Sequence, residues 1–270
     1  MTNKYIHGYT TEEQQRLLDQ AKYWKDKLIL RNLDLSADRY LLEIGCGVGA
    51  VLGEIGQAFP GISLAGIDIQ EEQVKYTISY LNKLNLENVD VRVGDAAYLP
   101  WKDGTFDAIF AIWVLEHLSN QEAVLQETYR VLKPGGFIRL NETDYKTLLI
   151  WPSSSDYDYL QDAFCQLFYY SGGHPHIGRR LEPLLSSNGF CDIQVNPIGF
   201  YYSACSNECQ DLREFVNYVS SFIEPTIQQM VQALGKDEKR LQAGLQAFKE
   251  TVNYVDGVAT AVVYQASAKR

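Results

Sequence analysis

The sequence predicts an α/β fold built on a doubly wound, mostly parallel sheet. Three observations carry that prediction. Short apolar runs such as "YLLEIG" and "ISLAGIDI" have the character of strands buried on both faces. Each is followed by a stretch of helical length and helical periodicity. The two kinds alternate through about residue 144, an order that gives parallel pairing with right-handed crossovers.

The elements follow in chain order. Residues 10–31 form an amphipathic helix, with Thr10 or Thr11 as cap, Glu12 and Glu13 in the first turn, and Leu17, Leu18, Ala21, Trp24, Leu28 and Ile29 on one face. "YLLEIG" is the first strand, and a glycine turn leads into the helix "AVLGEIGQAF", ended by Pro60 and Gly61. "ISLAGIDI", "VDVRVGDA", "FDAIFAIWV" and "FIRLNETD" are the next four strands. Helices "EEQVKYTISYLNKLNL" and "QEAVLQETYRVL" lie between them, and "KPGG" turns into the fifth strand. Beyond residue 144 the pattern loosens into an aromatic-rich helix over 155–171, a helix closed by Gly189, and a strand at "CDIQVNPIGFYYS". Two helical stretches (208–232 and 237–254) precede a last alternating strand, "GVATAVVYQASAK". The chain thus divides into an arm and helix (1–35), a core (36–144) and the rest of the sheet with its insertions (145–270), within one domain.

Composition narrows the function. The 270 residues are 46% hydrophobic and carry a formal net charge of −10, which disfavours a nucleic-acid partner. No run of about 18 apolar residues suggests a membrane span, and the start lacks an apolar signal region, so a cytoplasmic location without a membrane is expected. The odd number of cysteines, five, suits a reducing compartment. Cys205 and Cys209 stand four apart and His174 and His176 flank a proline, but the paired CxxC spacing is missing and no metal is expected.

The turn "YLLEIGCGVGA" carries the chemistry. Gly45, Gly47 and Ala50 satisfy the dinucleotide fingerprint G-x-G-x-x-G/A, so that match alone leaves an NAD-dependent oxidoreductase open. Glu43 in the strand and Gly49 inside the turn make the string E-x-G-x-G-x-G instead. With "GIDI", "VGDAAYLPW", "FDAIFAIWVLEHL" and "VLKPGG" following in order, residues 40–141 resemble the class I S-adenosylmethionine-dependent methyltransferases of small molecules. The resemblance implies their seven-stranded sheet, an N-terminal helical lid and a helical insertion before the last strand.

It also implies S-adenosylmethionine as cofactor, leaving as S-adenosylhomocysteine, and a set of residues around it. Glu43, Gly45, Cys46, Gly47 and Gly49 would form the turn beneath the cofactor, the glycines letting backbone come close. Asp68 would accept the ribose hydroxyls, Ile69 and Gln70 border the adenine with Gln73 behind them, and Asp95 with Ala96 receive the adenine amino group. Ala111, Ile112 and Trp113 would face the methyl end, and Tyr5 and His7 of the arm would fold over it. His117, Glu142 and Asp144 are candidates for a base. Trp113, Tyr145, Trp151, Tyr170 and Tyr201 are candidates for the acceptor pocket, with Tyr169 and Tyr202 beside them. Asp68 and Asp95 also suit helix or turn caps, and Arg179 and Arg180 suit structural ion pairs.

The expected reaction is in-line methyl transfer to a nitrogen or oxygen of a small organic acceptor. The alternatives are a catalytically silent S-adenosylmethionine-binding partner or sensor, or a methyltransferase for protein, lipid or quinone. The long C-terminal helical insertion leaves a homodimer open.

Overall fold

The computed structural model describes residues 6–36, 39–87, 89–205 and 209–270. Parallel strands β1 (Tyr40–Ile44), β2 (Ser63–Asp68), β3 (Asp90–Val93), β4 (Phe106–Ile112) and β5 (Leu132–Thr143) form the first part of an eight-stranded sheet. They stand in the order β3-β2-β1-β4-β5. The chain moves outward from β1 to β3 and then returns to the other side of β1 at β4. That reversal opens a crevice at the carboxyl ends of β1 and β4, where open α/β sheets take ligands.

The remaining strands are antiparallel. β8 (Val258–Lys269) pairs with β5 through residues 263–269 and with the three-residue β6 (Leu149–Trp151) through residues 258–260. Strand β7 (Cys191–Ser203) runs along the opposite edge of β8. Strand β6 is the addition to the seven strands expected, and it falls in a segment whose three apolar residues are too few to announce a strand.

Apolar layers flank the sheet. Helices α4 (Gln121–Val131) and α6 (Leu181–Ser187) bury Val124, Leu125, Leu181 and Leu185 on one face. The other face is covered by α1 (Thr11–Trp24), α2 (Ala50–Ala58) and α3 (Glu71–Lys83), and by a helical cap. The cap consists of α5 (Ser155–Tyr170), α7 (Cys209–Ile223), α8 (Ile227–Leu234) and α9 (Glu238–Glu250). None of the described helices is long and apolar enough to cross a membrane.

Three local departures from the expected elements have physical causes. The first helix stops being α-helical at Trp24 and continues as one π-helical turn, Lys25–Ile29, which buries both Leu28 and Ile29. The stretch 208–232 breaks at Pro225, whose ring forbids an unbroken helix, so a short 3₁₀ turn separates α7 from α8. "KPGG" is drawn into β5 as an irregularity: Leu132 pairs with Phe106, and regular register resumes at Phe137 opposite Ala108. Thr10 caps α1 by accepting the Glu13 amide at 3.3 Å.

Candidate functional site

A cavity of about 650 Å³ opens at the crevice between β1 and β4. Its walls come from the ends of β1, β2, β3 and β4, the turn after β5, the N-terminal arm with α1, and α7 of the cap.

The wall at β1 and β2 is made largely of backbone. Gly45, Gly47 and Gly49 all have left-handed φ (67°, 50° and 75°). A Cβ at Gly45 would lie 2.7 Å from Val114 Cγ2, and one at Gly49 would lie 2.6 Å from Thr77 Cγ2. Those two glycines are needed for close packing. Gly47 differs: its Cβ would meet only Leu17 Cδ1, at 3.8 Å, so its absence keeps cavity volume clear. Asp68 ties this turn to β2, accepting the Gly47 amide at 2.9 Å on one oxygen and the Gln70 amide at 2.9 Å on the other. Burial pushes the Asp68 carboxyl up from its usual range, and the amides of Gln70, Gly47 and Ile69 pull it back. Each oxygen retains a lone pair for a ligand hydroxyl. Asp95 accepts the Ala97 amide at 2.9 Å in the same manner and lines the cavity with Ala96. The capping and the cavity-facing roles of Asp68 and Asp95 therefore coexist.

Other sequence candidates divide between the cavity and its supports. Ile69, Gln70, Gln73, Ile112, Trp113, His7 and His117 line it, as does Tyr145. Trp113 has φ 53°, a conformation costly for so large a side chain, and is held there by its amide to Asn141 O (2.9 Å) and its indole to Thr143 Oγ1 (2.8 Å). Glu43, Cys46, Gly49 and Ala111 are buried or behind the surface rather than in the lining. Burial raises the Glu43 carboxyl well above the usual range, against the pull of the Leu52 amide beneath the turn.

Four candidates stand away from the cavity altogether. Asp144 is fully buried against His176 (2.9 Å) and Arg179, so its charge is spent on a structural cluster, which also accounts for Arg179. Trp151, Tyr170 and Tyr201 are more than half exposed, and the Trp151 indole donates to Asp256. Tyr169 is exposed as well, and Tyr202 belongs to the core, accepting the Tyr23 hydroxyl. Trp151 and Tyr201 point to solvent from β6 and β7, and Tyr169 and Tyr170 stand exposed at the C-terminal end of α5. Tyr5 lies outside the described residues. The arm is anchored from Ile6 onward: Ile6 is 2% exposed and its carbonyl accepts from Gln229.

Glu142 is a support of a specific kind. It accepts the amides of Val114, Leu115 and Glu116 at 3.1, 2.8 and 3.3 Å, clamping the turn that follows β4. Burial raises its carboxyl to about 7 against the pull of those amides. The adjoining Glu116 does line the cavity, and Tyr145 donates its hydroxyl to Oε1 at 2.9 Å. Burial and then the neighbouring Glu142 push the Glu116 carboxyl well above its usual range. His117, 3.5 Å from the same oxygen, is pushed down to about 3 by burial and then by Arg16, and is neutral. Burial likewise lowers His7, whose ring meets that of His117 edge-on at 5.9 Å.

Sequence reasoning missed Glu116, Arg16, Gln20, Tyr218 and Phe222 in this lining. Glu116 sits inside the quoted "VLEHL" and was overshadowed by the histidine beside it. Tyr218 and Phe222 are spaced four apart on α7, a signal that reads equally as ordinary core. No group of three or more His, Cys, Asp or Glu among the described residues could hold a metal ion.

Comparison with known proteins fits this geometry. Residues 42–140 match the family model described as a methyltransferase domain. The chain is 38% identical over 119 residues to the sterol 24-C-methyltransferase erg6 of Schizosaccharomyces pombe, covering 44% of this chain and 29% of that protein. It spans between 29% and 53% of the length of the first curated relatives it matches. A phosphoethanolamine N-methyltransferase 2 of Haemonchus contortus superposes with a TM-score of 0.61 at 15% identity, over 98% of this chain and 61% of that one. The [4+2]-cyclase SpnF shares the fold too, with a TM-score of 0.57 at 19% identity, over 93% and 81%.

Proposed function

We infer, from a chain whose residues 42–140 match a methyltransferase-domain family model, that the whole protein is a class I S-adenosylmethionine-dependent methyltransferase acting on a nitrogen or oxygen of a small organic acceptor. The observation that carries the reading is one cavity with two kinds of wall. A glycine turn latched by Asp68 stands at one end, and buried titratable side chains stand at the other.

S-adenosylmethionine, when bound, supplies an electrophilic methyl group on a sulfonium. The chain's residues bind, orient and exclude water. Gly45 and Gly47 allow backbone to approach the amino-acid and ribose parts, Asp68 accepts ribose hydroxyls, and Ile69, Gln70, Asp95 and Ala96 border the adenine. Ile112 and Trp113 flank the methyl end. His7, Tyr9, Arg16 and Leu17 of the arm and α1 wall the cavity from solvent. The residues present fit a ribose-bearing group here, because Gly47 leaves open cavity space that a side chain would enter.

A small acceptor is supported by the sterol and norajmaline named for curated relatives, while the net charge of −10 disfavours a nucleic acid. The rival is a protein that binds the cofactor without methyl transfer, since a cyclase shares the fold. Calorimetry with S-adenosylhomocysteine and with NAD separates cofactor classes; tighter NAD binding defeats the reading. Release of S-adenosylhomocysteine with a panel of amines and phenols separates enzyme from silent binder; no turnover with any acceptor favours the rival.

A further inference from the structure

Glu116 is 1% exposed, yet it lines the cavity. Tyr145 serves its Oε1 and the Thr143 amide favours its charged form, but Oε2 has no partner within hydrogen-bond geometry among the described residues. A buried carboxyl oxygen left this way is costly until something donates to it. Among the described residues no cation does: Arg16, which lines the cavity, holds Glu13 through its Nε–Nη2 edge at 2.7 and 2.6 Å and Gln20 through Nη1. The neighbouring carboxyl, Glu142, is occupied by three amides.

The surroundings of Glu116 select a cation. Aromatic faces enclose this end of the cavity: Tyr145, Trp113, and Tyr218 with Phe222, the last two 5.3 Å apart. A second, shallower groove of about 890 Å³ runs between α1 and α7. It shares Arg16, Gln20 and Tyr218 with the cavity and carries Glu12, Asp19 and Glu214 along its length. Acid side chains therefore line a groove that abuts the aromatic end of the cavity across Arg16, Gln20 and Tyr218.

We propose that the methyl acceptor is an amine, which enters along the α1–α7 groove and donates an N–H to Glu116 Oε2. The proposal rests on the methyltransferase reading and names its substrate class. Glu116 also offers a place for the proton that the nitrogen sheds. The bound ammonium passes one proton to ionised Glu116 at Oε2, and the N–H electron pair stays on nitrogen as a lone pair; that pair would form the bond to the methyl carbon as the S–C pair leaves on sulfur. A carboxyl already raised by burial holds that proton well.

The test uses the full chain loaded with S-adenosylhomocysteine, titrated with N-methylbenzylamine and with benzyl alcohol as its uncharged counterpart. The amine binds the wild-type protein at least about tenfold more tightly than the alcohol. Glu116→Gln weakens the amine by roughly thirtyfold or more, while S-adenosylhomocysteine binding changes less than about threefold. Equal binding of amine and alcohol to the wild type overturns the proposal, and needs no variant to fold. So does a Glu116→Gln protein that loses S-adenosylhomocysteine as strongly as the amine, for the carboxyl then serves the cofactor. Asp19→Asn with Glu214→Gln reduces the salt sensitivity of amine binding; an unchanged sensitivity overturns the entry route. Failure of S-adenosylhomocysteine to bind at all defeats the methyltransferase reading instead. The amine titration is then run on the protein alone.

Discussion

The two ends of the cavity are built by different means. At β1, β2 and β3 the walls are largely backbone: Gly45 and Gly47 in left-handed conformation with Gly49 behind them, and carboxylates whose oxygens first serve the chain's own amides. Beyond β4 the walls are side chains from distant segments, with Glu116, His117, Tyr145 and Tyr218 brought together from three places in the sequence. Backbone walls bind what every member of a family shares, because changing a side chain alters them little. Side-chain walls can be exchanged freely, so the second end sets what is particular to this protein.

The largest effect that would break this contrast lies at the glycines. Gly49→Val forces a branched side chain into Thr77 at a left-handed φ, and should cost about 3 kcal/mol of stability or more. Gly47→Ala should cost only about 1–2 kcal/mol of stability, yet abolish S-adenosylhomocysteine binding, because its new methyl enters the cavity. Denaturant unfolding beside calorimetry reads both, and a Gly47→Ala protein that binds normally would sink the backbone-wall account. Asp68→Ala comes next. It should weaken S-adenosylhomocysteine by about 2–4 kcal/mol and leave amine binding at Glu116 in place; an unchanged cofactor affinity would leave Asp68 a latch only.

The second end should answer to pH. Burial and then Arg16 hold His117 down to about 3 in the folded chain, below its ordinary 6.5, so its contribution is present above 6.5 and lost as pH falls toward 3. Glu142 has the opposite sign: raised from 4.5 to about 7, its contribution is full below 4.5 and lost as pH rises through 7. Thermal melts between about pH 4 and pH 9 should therefore decline on both sides. His117→Gln should flatten the acid limb alone; an acid limb identical to wild type counts against a buried neutral imidazole. The smallest effect is expected of Tyr145→Phe, which removes the donor to Glu116 Oε1 and should cost about 1–2 kcal/mol of stability. S-adenosylhomocysteine affinity should stay unchanged, and a loss there would mean that the two ends are coupled.

The same contrast decides what could be read in the sequence. The alternation through residue 144 yields the five parallel strands, and Gly45, Gly47, Asp68 and Asp95 are legible because each closes its strand or follows it within a few residues. Local spacing fixes them. Tyr218 and Phe222 reach the cavity only because α7 folds back over the sheet, and no local pattern carries that information. Trp151 and Tyr201 err the other way: aromatic residues in the right segment, placed on strands whose faces turn to solvent. Asp144 misleads because an acid beyond a strand end suits catalysis and a buried ion pair equally, and only His176 and Arg179 decide between them.

Strand β8 carries a consequence for how the molecule is made. It is the shared partner of β5, β6 and β7, and its residues follow those of β5 by more than a hundred positions. Until residues 258–269 emerge, the outer edge of β5 is an unpaired template, and β7 has no neighbour in the sheet. Contacts closed over so long a loop form late. The five parallel strands can therefore assemble first, while the cap waits on the strand that follows it in sequence. A chain interrupted before β8 would keep most of the cofactor wall and present an open, sticky edge beside it.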